Sequence, residues 1–190
     1  MAVSLSKGQK VDLTKGNPGL SKIIVGLGWD TNKYDGGADF DLDAAAFLLA
    51  ANGKVASDSD FVFYGNLKHS SGGVEHMGDN LTGEGEGDDE QIVIDLAKVP
   101  QEYDKIVIVV NIYQAVQRHQ HFGMIENAFI RLVDARNNNE MCKYNLTENY
   151  SGMTAMIFGE VYRHNGEWKF SAVGQGTNDP GLGELSRRFV

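Results

Sequence analysis

The chain has 190 residues, of which 42% are hydrophobic and 23% charged, and its formal net charge is −9. This length and composition are typical of a single globular domain that can bury a sizeable core. A nucleic-acid-binding protein normally carries a basic face, but the largest basic cluster in this sequence is Arg187-Arg188. Binding to duplex nucleic acid is therefore not expected.

The cysteine content and the N-terminus predict the compartment. A single cysteine, Cys142, excludes an intramolecular disulfide framework. The N-terminus lacks an apolar segment followed by a small-residue cleavage site, and no apolar run approaches the roughly 20 residues of a spanning helix. We expect a cytoplasmic protein with only indirect membrane contact. Since Cys142 falls in a predicted strand with no obvious His partner, we expect a buried, unreactive thiol.

The predicted elements are mainly short strands separated by turns that contain Gly, Asn or Pro. In chain order, the predicted strands lie at 3–5, 10–13, 21–29, 39–49, 60–65, 91–96, 105–113, 129–134, 141–146, 154–163 and 167–173. The best helix candidate is 114–127, a helical turn is predicted at 97–103, a short helix near the C-terminus, and a long loop at 66–90. The run 105–113 is almost continuously apolar and β-branched, which indicates a central strand covered on both faces. The pattern predicts a mostly β fold, a two-sheet β-sandwich with a few short helices, in one domain spanning residues 1–190.

Acidic residues are concentrated in two stretches of the chain. Residues 30–43 contain five Asp and residues 75–90 contain seven Asp or Glu, so 12 of the 26 acidic residues occupy 30 positions. An even distribution would place about four there. No Lys or Arg lies between His69 and Ala97 to neutralise them. The two stretches therefore carry strong local negative charge.

The first stretch contains a strand with stacked carboxylates. Side chains alternate along a strand, which places Asp39, Asp41 and Asp43 on one face and Phe40 and Leu42 on the other. Three adjacent carboxylates repel each other unless a cation lies among them. The strand continues into the apolar run 44–49, so its carboxylates are expected at one rim of the core.

The second stretch, 78–90, is rich in Gly and oxygen ligands. Its glycines allow backbone carbonyls to turn inward, and its Asp, Asn and Glu residues add side-chain oxygens. Ca²⁺ takes six to eight oxygen ligands, whereas Mg²⁺ prefers a few carboxylates together with water. The sequence therefore favours a discontinuous calcium site, in which the acidic strand faces the Gly-rich loop, with Asp30 as a further candidate.

The acidic residues are also compatible with roles other than calcium binding. Their spacing is not that of an EF-hand, because Ala44 stands where that loop needs Gly and Ala50 where it needs Glu. The acidic loop is also compatible with an ordinary solvent-exposed segment that binds no metal. This alternative applies most directly to Glu84, Glu86 and Asp89, each considered alone. A metal-dependent hydrolase that uses Mg²⁺ or Mn²⁺, and a metal-independent acidic scaffold for a basic partner, also remain open.

The histidines are weaker candidates for metal ligands. His119 and His121 are two residues apart on the predicted helix, where such residues do not face each other. His69 and His76 flank the acidic loop, and we expect both to be structural.

Several motifs together resemble the TerD family of tellurium-resistance and general-stress proteins, and the resemblance runs over essentially the whole chain. The motifs are Gly26-Leu27-Gly28-Trp29-Asp30, Asp39-Phe40-Asp41-Leu42-Asp43-Ala44, Asn66-Leu67, Gly78-Asp79-Asn80, Gly87-Asp88-Asp89-Glu90, 122–134 and Phe158-Gly159-Glu160-Val161-Tyr162-Arg163.

The resemblance implies a cytoplasmic bacterial β-sandwich that binds two Ca²⁺ ions and forms complexes with other stress and resistance proteins at the inner face of the membrane. The metal-binding role is carried over to these residues: Asp30, Asp39, Asp41, Asp43, Asp79, Asn80, Asp88 and Glu90. Tellurite is an anion, which a cluster of carboxylates repels. We therefore expect a non-enzymatic role in resistance through calcium-dependent assembly or signalling, rather than capture of tellurite.

Overall fold

The computed structural model describes residues 3–31, 42–77, 88–146 and 150–190, without the side chains of Thr31 and Glu126. Two six-stranded sheets contain all the named strands. The first sheet runs in the order β1 (Val3–Leu5), β10 (Asn139–Asn145), β9 (Ile125–Asp134), β3 (Lys22–Thr31), β7 (Glu90–Asp95) and β6 (Val74–His76). The second runs in the order β2 (Lys10–Asp12), β12 (Glu167–Thr177), β11 (Ala155–His164), β8 (Tyr103–Ile112), β4 (Leu42–Ala50) and β5 (Phe61–Val62). The predicted mostly β, two-sheet fold is confirmed.

The helices are short and lie at the ends of strands. Helix α1 spans Ala115–Arg118 and α2 spans Leu182–Ser186; 3₁₀ turns occupy Asp58–Asp60, Phe122–Met124 and Arg187–Phe189. In the part of the chain that the structure describes, no helix is both long and apolar enough to cross a membrane.

Strand β4 is buried on both faces. Leu42, Ala46 and Leu48 face the main core, which fills the space between the two sheets. Phe47 and Leu49 belong to a second apolar cluster on the opposite face, together with Leu185 of α2 and the partly buried Leu182 and Phe189. The C-terminal helices therefore cover the outer face of the second sheet. This double coverage explains why the sequence past Asp43 is apolar at every position up to Ala50.

The predicted helix at 114–127 is wrong. Only Ala115–Arg118 is α-helical, and the residues on either side of it, Gln114 and His119, both have left-handed backbones with φ of 52° and 54°. Strand β9 already begins at Ile125, because its first residues pair with the end of β3. Tertiary pairing thus overrides the local preference for helix.

Three further element predictions need correction. The strand predicted at 60–65 is reduced to Phe61–Val62, and the loop predicted at 66–90 contains strand β6. The segment 97–102 forms turns without a helix, and Tyr103 already belongs to β8. In the predicted acidic strand, the described part begins at Leu42, so Asp39 and Asp41 lie outside the described residues.

A buried carboxylate, Asp60, connects β5 to its surroundings. Its Oδ1 accepts hydrogen bonds from Tyr103 Oη at 2.6 Å and from His69 Nε2 at 2.9 Å. Its Oδ2 accepts from the backbone N–H groups of Ala56 and Ser57. Burial raises the pKa of Asp60, but these hydrogen bonds outweigh that effect and lower the pKa below its usual value. The expected structural role of His69 matches this network.

We predict that Tyr103→Phe destabilises the protein by about 1.5–3 kcal/mol at neutral pH, because it removes a hydrogen bond to a buried carboxylate. A carboxyl whose pKa is lowered by folding adds stability above its unfolded-state pKa, and this contribution disappears as the pH falls through the folded-state pKa. The difference between the two proteins should therefore shrink in acid. Urea unfolding from neutral pH to about pH 3 measures this. The half-exposed Tyr162, changed to Phe, is the control, and equal destabilisation by both changes would contradict the prediction.

Candidate metal centre at the edge of the sandwich

A hydrogen bond between the two sheets joins the C-terminal ends of the two acidic stretches. Strand β5 pairs only with Ala46 and Phe47 of β4, so the ladder does not extend to Ala44. The backbone N–H of Ala44 instead donates to Glu90 Oε2 at 2.7 Å. His76 Nε2 lies 3.5 Å from the same oxygen, and the carboxylate of Glu90 is buried. The starts of β4 and β7 are therefore held together.

Asp43 lies on the opposite face of β4 from this contact. Its side chain is 4% exposed, and it pairs in register with Asn111 of β8. The Oδ1 atom of Asn111 is buried and accepts no hydrogen bond from the described residues, while its Nδ2 donates only a long contact of 3.4 Å to the carbonyl of Ile112. Sequence reasoning missed Asn111, although it is the one polar residue in the otherwise apolar run 106–112.

Asp89 was also absent from the predicted ligands, and it occupies a buried position beside β3. Its backbone N–H donates to the carbonyl of Leu27 at 2.7 Å, and its Oδ2 accepts from the N–H of Trp29 at 2.8 Å. Burial raises the pKa of Asp89, and the charges of Asp30 and Asp88 raise it further against the effect of the Trp29 hydrogen bond. Asp89 thus lies near enough to Asp30 and to Asp88 for the charge of each to repel its own.

Asp88 is already neutralised by a cation of the protein. Arg131 Nε lies 2.7 Å from Asp88 Oδ1 and Nη2 lies 2.9 Å from Oδ2, and Gln91 Nε2 donates to Oδ2 at 3.0 Å. The hydrogen bonds with Asp88 raise the pKa of Arg131, more than burial lowers it. A Cβ at position 26 would overlap the carboxylate of Asp88, so Gly26 leaves the room that this ion pair needs. A metal ion at Asp88 would compete with Arg131.

Asp30 lies at an irregular part of the first sheet. The pairing between β3 and β9 shifts between Gly28 and Asp30, and Asn127 on β9 has a left-handed backbone with φ of 54°. Asn127 Nδ2 donates to Asp30 Oδ2 at 2.8 Å. Because Asp30 is exposed, water and ions can reach it.

The described residues contain half of the predicted ligand set: Asp30, Asp43, Asp88 and Glu90. The others, Asp39, Asp41, Asp79 and Asn80, lie outside the described residues. Within residues 3–31, 42–77, 88–146 and 150–190, no three His, Cys, Asp or Glu side chains are grouped to hold a metal ion. The assignment of ligands therefore stays a prediction. Strands β4 and β7, the first described strands after residues 32–41 and 78–87, both begin at this edge.

The remaining candidates have structural roles. Cys142 is 2% exposed, and burial raises the pKa of its thiol to about 12, which confirms a buried, unreactive cysteine. His121 follows the short helix α1, and its Nδ1 accepts a hydrogen bond from the N–H of Gly123 at 3.1 Å. His76 is buried beside Glu90 and is suited to position that carboxylate.

Comparison with proteins of known sequence gives a family and a set of relatives. A family model described as the TerD domain matches residues 1–189. General stress protein 16U of Bacillus subtilis is 60% identical over 176 residues, which are 93% of this chain and 91% of that protein. Tellurium resistance protein TerD of Serratia marcescens is 60% identical over 176 residues, with the same coverage of the two chains.

Solved structures share the fold at lower sequence identity. A crystal structure of a protein of unknown function has a TM-score of 0.70 and 24% identity, and the match covers 88% of this chain and 95% of that one. A homologue of telluride resistance protein (TerD) from Streptomyces coelicolor A3(2) has a TM-score of 0.66 and 22% identity, over 85% and 92% of the two chains. By the family model and the two relatives, this chain belongs to the TerD domain family.

Proposed function

We propose that this chain is a calcium-binding, non-catalytic module of a stress response associated with tellurite resistance. The observation that carries the proposal is the hydrogen bond from Ala44 N–H to Glu90 Oε2, which joins the ends of the two acidic stretches across the sheets. The names of the relatives, a general stress protein and a tellurium resistance protein, support the physiological part.

This edge supplies buried carboxylates on both sides of β4, a type of group that hard cations bind. Asp43 and Glu90 are buried carboxylates near the start of β4 and of β7, and Asp89 is crowded by two further carboxylates. A cation stabilises carboxylates that are buried or crowded in this way. Calcium would neutralise these groups and take oxygens from the remaining predicted ligands Asp39, Asp41, Asp79 and Asn80. Asp30 would join while it keeps the hydrogen bond from Asn127, which uses only Oδ2, whereas calcium at Asp88 would compete with Arg131 for both carboxylate oxygens.

The chemistry of the edge argues against direct action on tellurite. The oxyanion is repelled by the carboxylates that crowd there, and the single thiol of the chain is buried with a raised pKa. We infer that bound calcium changes the charge and the order of this edge, and so controls assembly with other stress or resistance proteins. We expect this assembly in the cytoplasm, at the inner face of the membrane.

Calcium should stabilise the folded protein by mass action. At a calcium concentration about 100 times the Kd, the expected gain is about 2.7 kcal/mol, which corresponds to a rise in Tm of roughly 5–10 °C for a chain of this size. Calorimetric unfolding with calcium, with magnesium and with a chelator measures this. A Tm that is unchanged by calcium would contradict the proposed site.

We predict that Glu90→Gln weakens calcium binding by roughly tenfold or more, because it removes a buried charge while it keeps an acceptor for Ala44 N–H. Glu75→Gln, an exposed change on the neighbouring strand β6, is the matched control and should bind calcium like the wild type. The calcium-dependent shift in Tm of both variants reports the effect. Equal responses from the two variants would remove Glu90 from the site.

Purified protein should not bind or reduce tellurite in the presence of a calcium chelator. Equilibrium dialysis with tellurite and an assay for elemental tellurium measure the two processes. Tight binding or reduction under these conditions would favour direct action on the oxyanion over assembly.

Two other outcomes would favour the alternative functions. Partner capture that does not change with chelator would favour the metal-independent scaffold. Mn²⁺-dependent hydrolysis that is lost in Asp41→Asn would favour the hydrolase.

A further inference from the structure

A cavity of about 520 Å³ lies on the outer face of the second sheet, between strands β4 and β8 and the C-terminal segment. This volume falls within the range of about 300–1,000 Å³ that is usual for small-molecule sites. Gly181, Leu182, Gly183 and Ser186 line it on the side of helix α2. Neither the names of the relatives nor the proposed calcium site accounts for the cavity.

The polar part of the cavity wall includes two carboxylates, Asp43 and Asp58, and a buried amide, Asn111. Asp43 and Asn111 are cross-strand neighbours, 4% and 3% exposed, and both line the cavity. The Oδ1 of Asn111 accepts no hydrogen bond from the described residues, although it is buried. A buried acceptor without a hydrogen bond lowers the stability of the folded protein. A ligand with an N–H donor would supply the absent hydrogen bond.

The rest of the wall is largely aromatic. Phe47 and Phe61 meet edge to face with ring centroids 4.9 Å apart, and Phe63 and Tyr64 do so at 5.2 Å. At the rim, Tyr113 already holds the guanidinium of Arg118 at 5.6 Å from its ring centroid. Aromatic faces attract organic cations in this way.

The charge of the lining selects among ligands. Among the described residues that line the cavity, Asp43 and Asp58 are acidic, and none is Lys, Arg or His. An anionic ligand would therefore be repelled, and a protonated amine would be attracted. A bare metal ion would gain little from aromatic walls, because it keeps oxygen ligands and water around it.

We propose that this cavity binds a small organic cation, a primary amine carried on an apolar or aromatic body. The amine donates to Asn111 Oδ1 beside the negative charge of Asp43, and the apolar body packs among Phe47, Phe61 and Phe63. Among its described lining residues, this site shares only Asp43 with the proposed calcium ligands. Its tests therefore use variants outside the predicted metal ligands.

The experiment is titration calorimetry of the full chain with phenylethylamine, with the neutral phenylethanol and with the anionic phenylpropionate, in buffer that contains a calcium chelator. We expect the amine to bind with one site per chain and at least tenfold more tightly than the alcohol, and the carboxylate not to bind. Equal binding of amine and alcohol, or no binding of the amine, would overturn the proposal.

Two variants locate the site. Asn111→Leu removes the buried acceptor and should weaken amine binding at least tenfold. Gly183→Phe fills the cavity from α2, where an added Cβ meets no atom within 4 Å, and should abolish binding even if Asn111→Leu folds poorly. Gly16→Phe, at an exposed glycine with equally open surroundings, is the matched control and should bind like the wild type.

The calcium response separates this proposal from the calcium proposal. Gly183→Phe should keep the calcium-dependent rise in Tm while it loses amine binding. Amine binding that survives in Gly183→Phe would overturn the organic-cation site whatever the calcium result. A wild-type protein whose Tm does not rise with calcium would overturn only the calcium site.

Discussion

The burial of strand β4 on both of its faces sets the positions of Asp43 and of the Ala44 backbone at the candidate site. Because both faces are covered, its side chains alternate between the main core and the cluster beneath the C-terminal helices. The same alternation directs Asp43 to the outer face, while the backbone of Ala44 meets Glu90 at the edge that β5 leaves unpaired. A carboxylate thus takes the place of a strand in satisfying that N–H.

This arrangement concentrates negative charge at one end of a rigid sandwich. Asp43 and Glu90 are fixed by the strands that carry them, whereas the charge of Asp88 is neutralised by Arg131 across the sheet. The fold therefore supplies charge whose position is set before any ligand arrives. Such preorganisation favours binding, because the strand residues lose little conformational freedom on association.

Strands that are buried on both faces could be predicted well, because their sequences are almost continuously apolar. The β-branched run at 105–113 proved to be the central strand β8, since it is covered on both faces. The predicted helix at 114–127 failed because pairing with the distant end of β3 could not be seen locally. At the candidate site, the concentration of acidic residues could be seen in the sequence. The ion pair between Asp88 and Arg131 could not, because the two residues are 43 positions apart in the chain. The unsatisfied Asn111 also depends on tertiary packing, which one sequence does not reveal.

The proposed function requires that the two acidic stretches form one calcium site. Titration calorimetry with Ca²⁺ and with Mg²⁺, on the wild type and on Asp41→Asn, is the decisive measurement. We expect Ca²⁺ to bind the wild type much more tightly than Mg²⁺ does, and Asp41→Asn to weaken calcium binding, because oxygens from both stretches would surround the ion. Equal and weak heats for the two ions, or a variant that binds calcium like the wild type, would contradict this site.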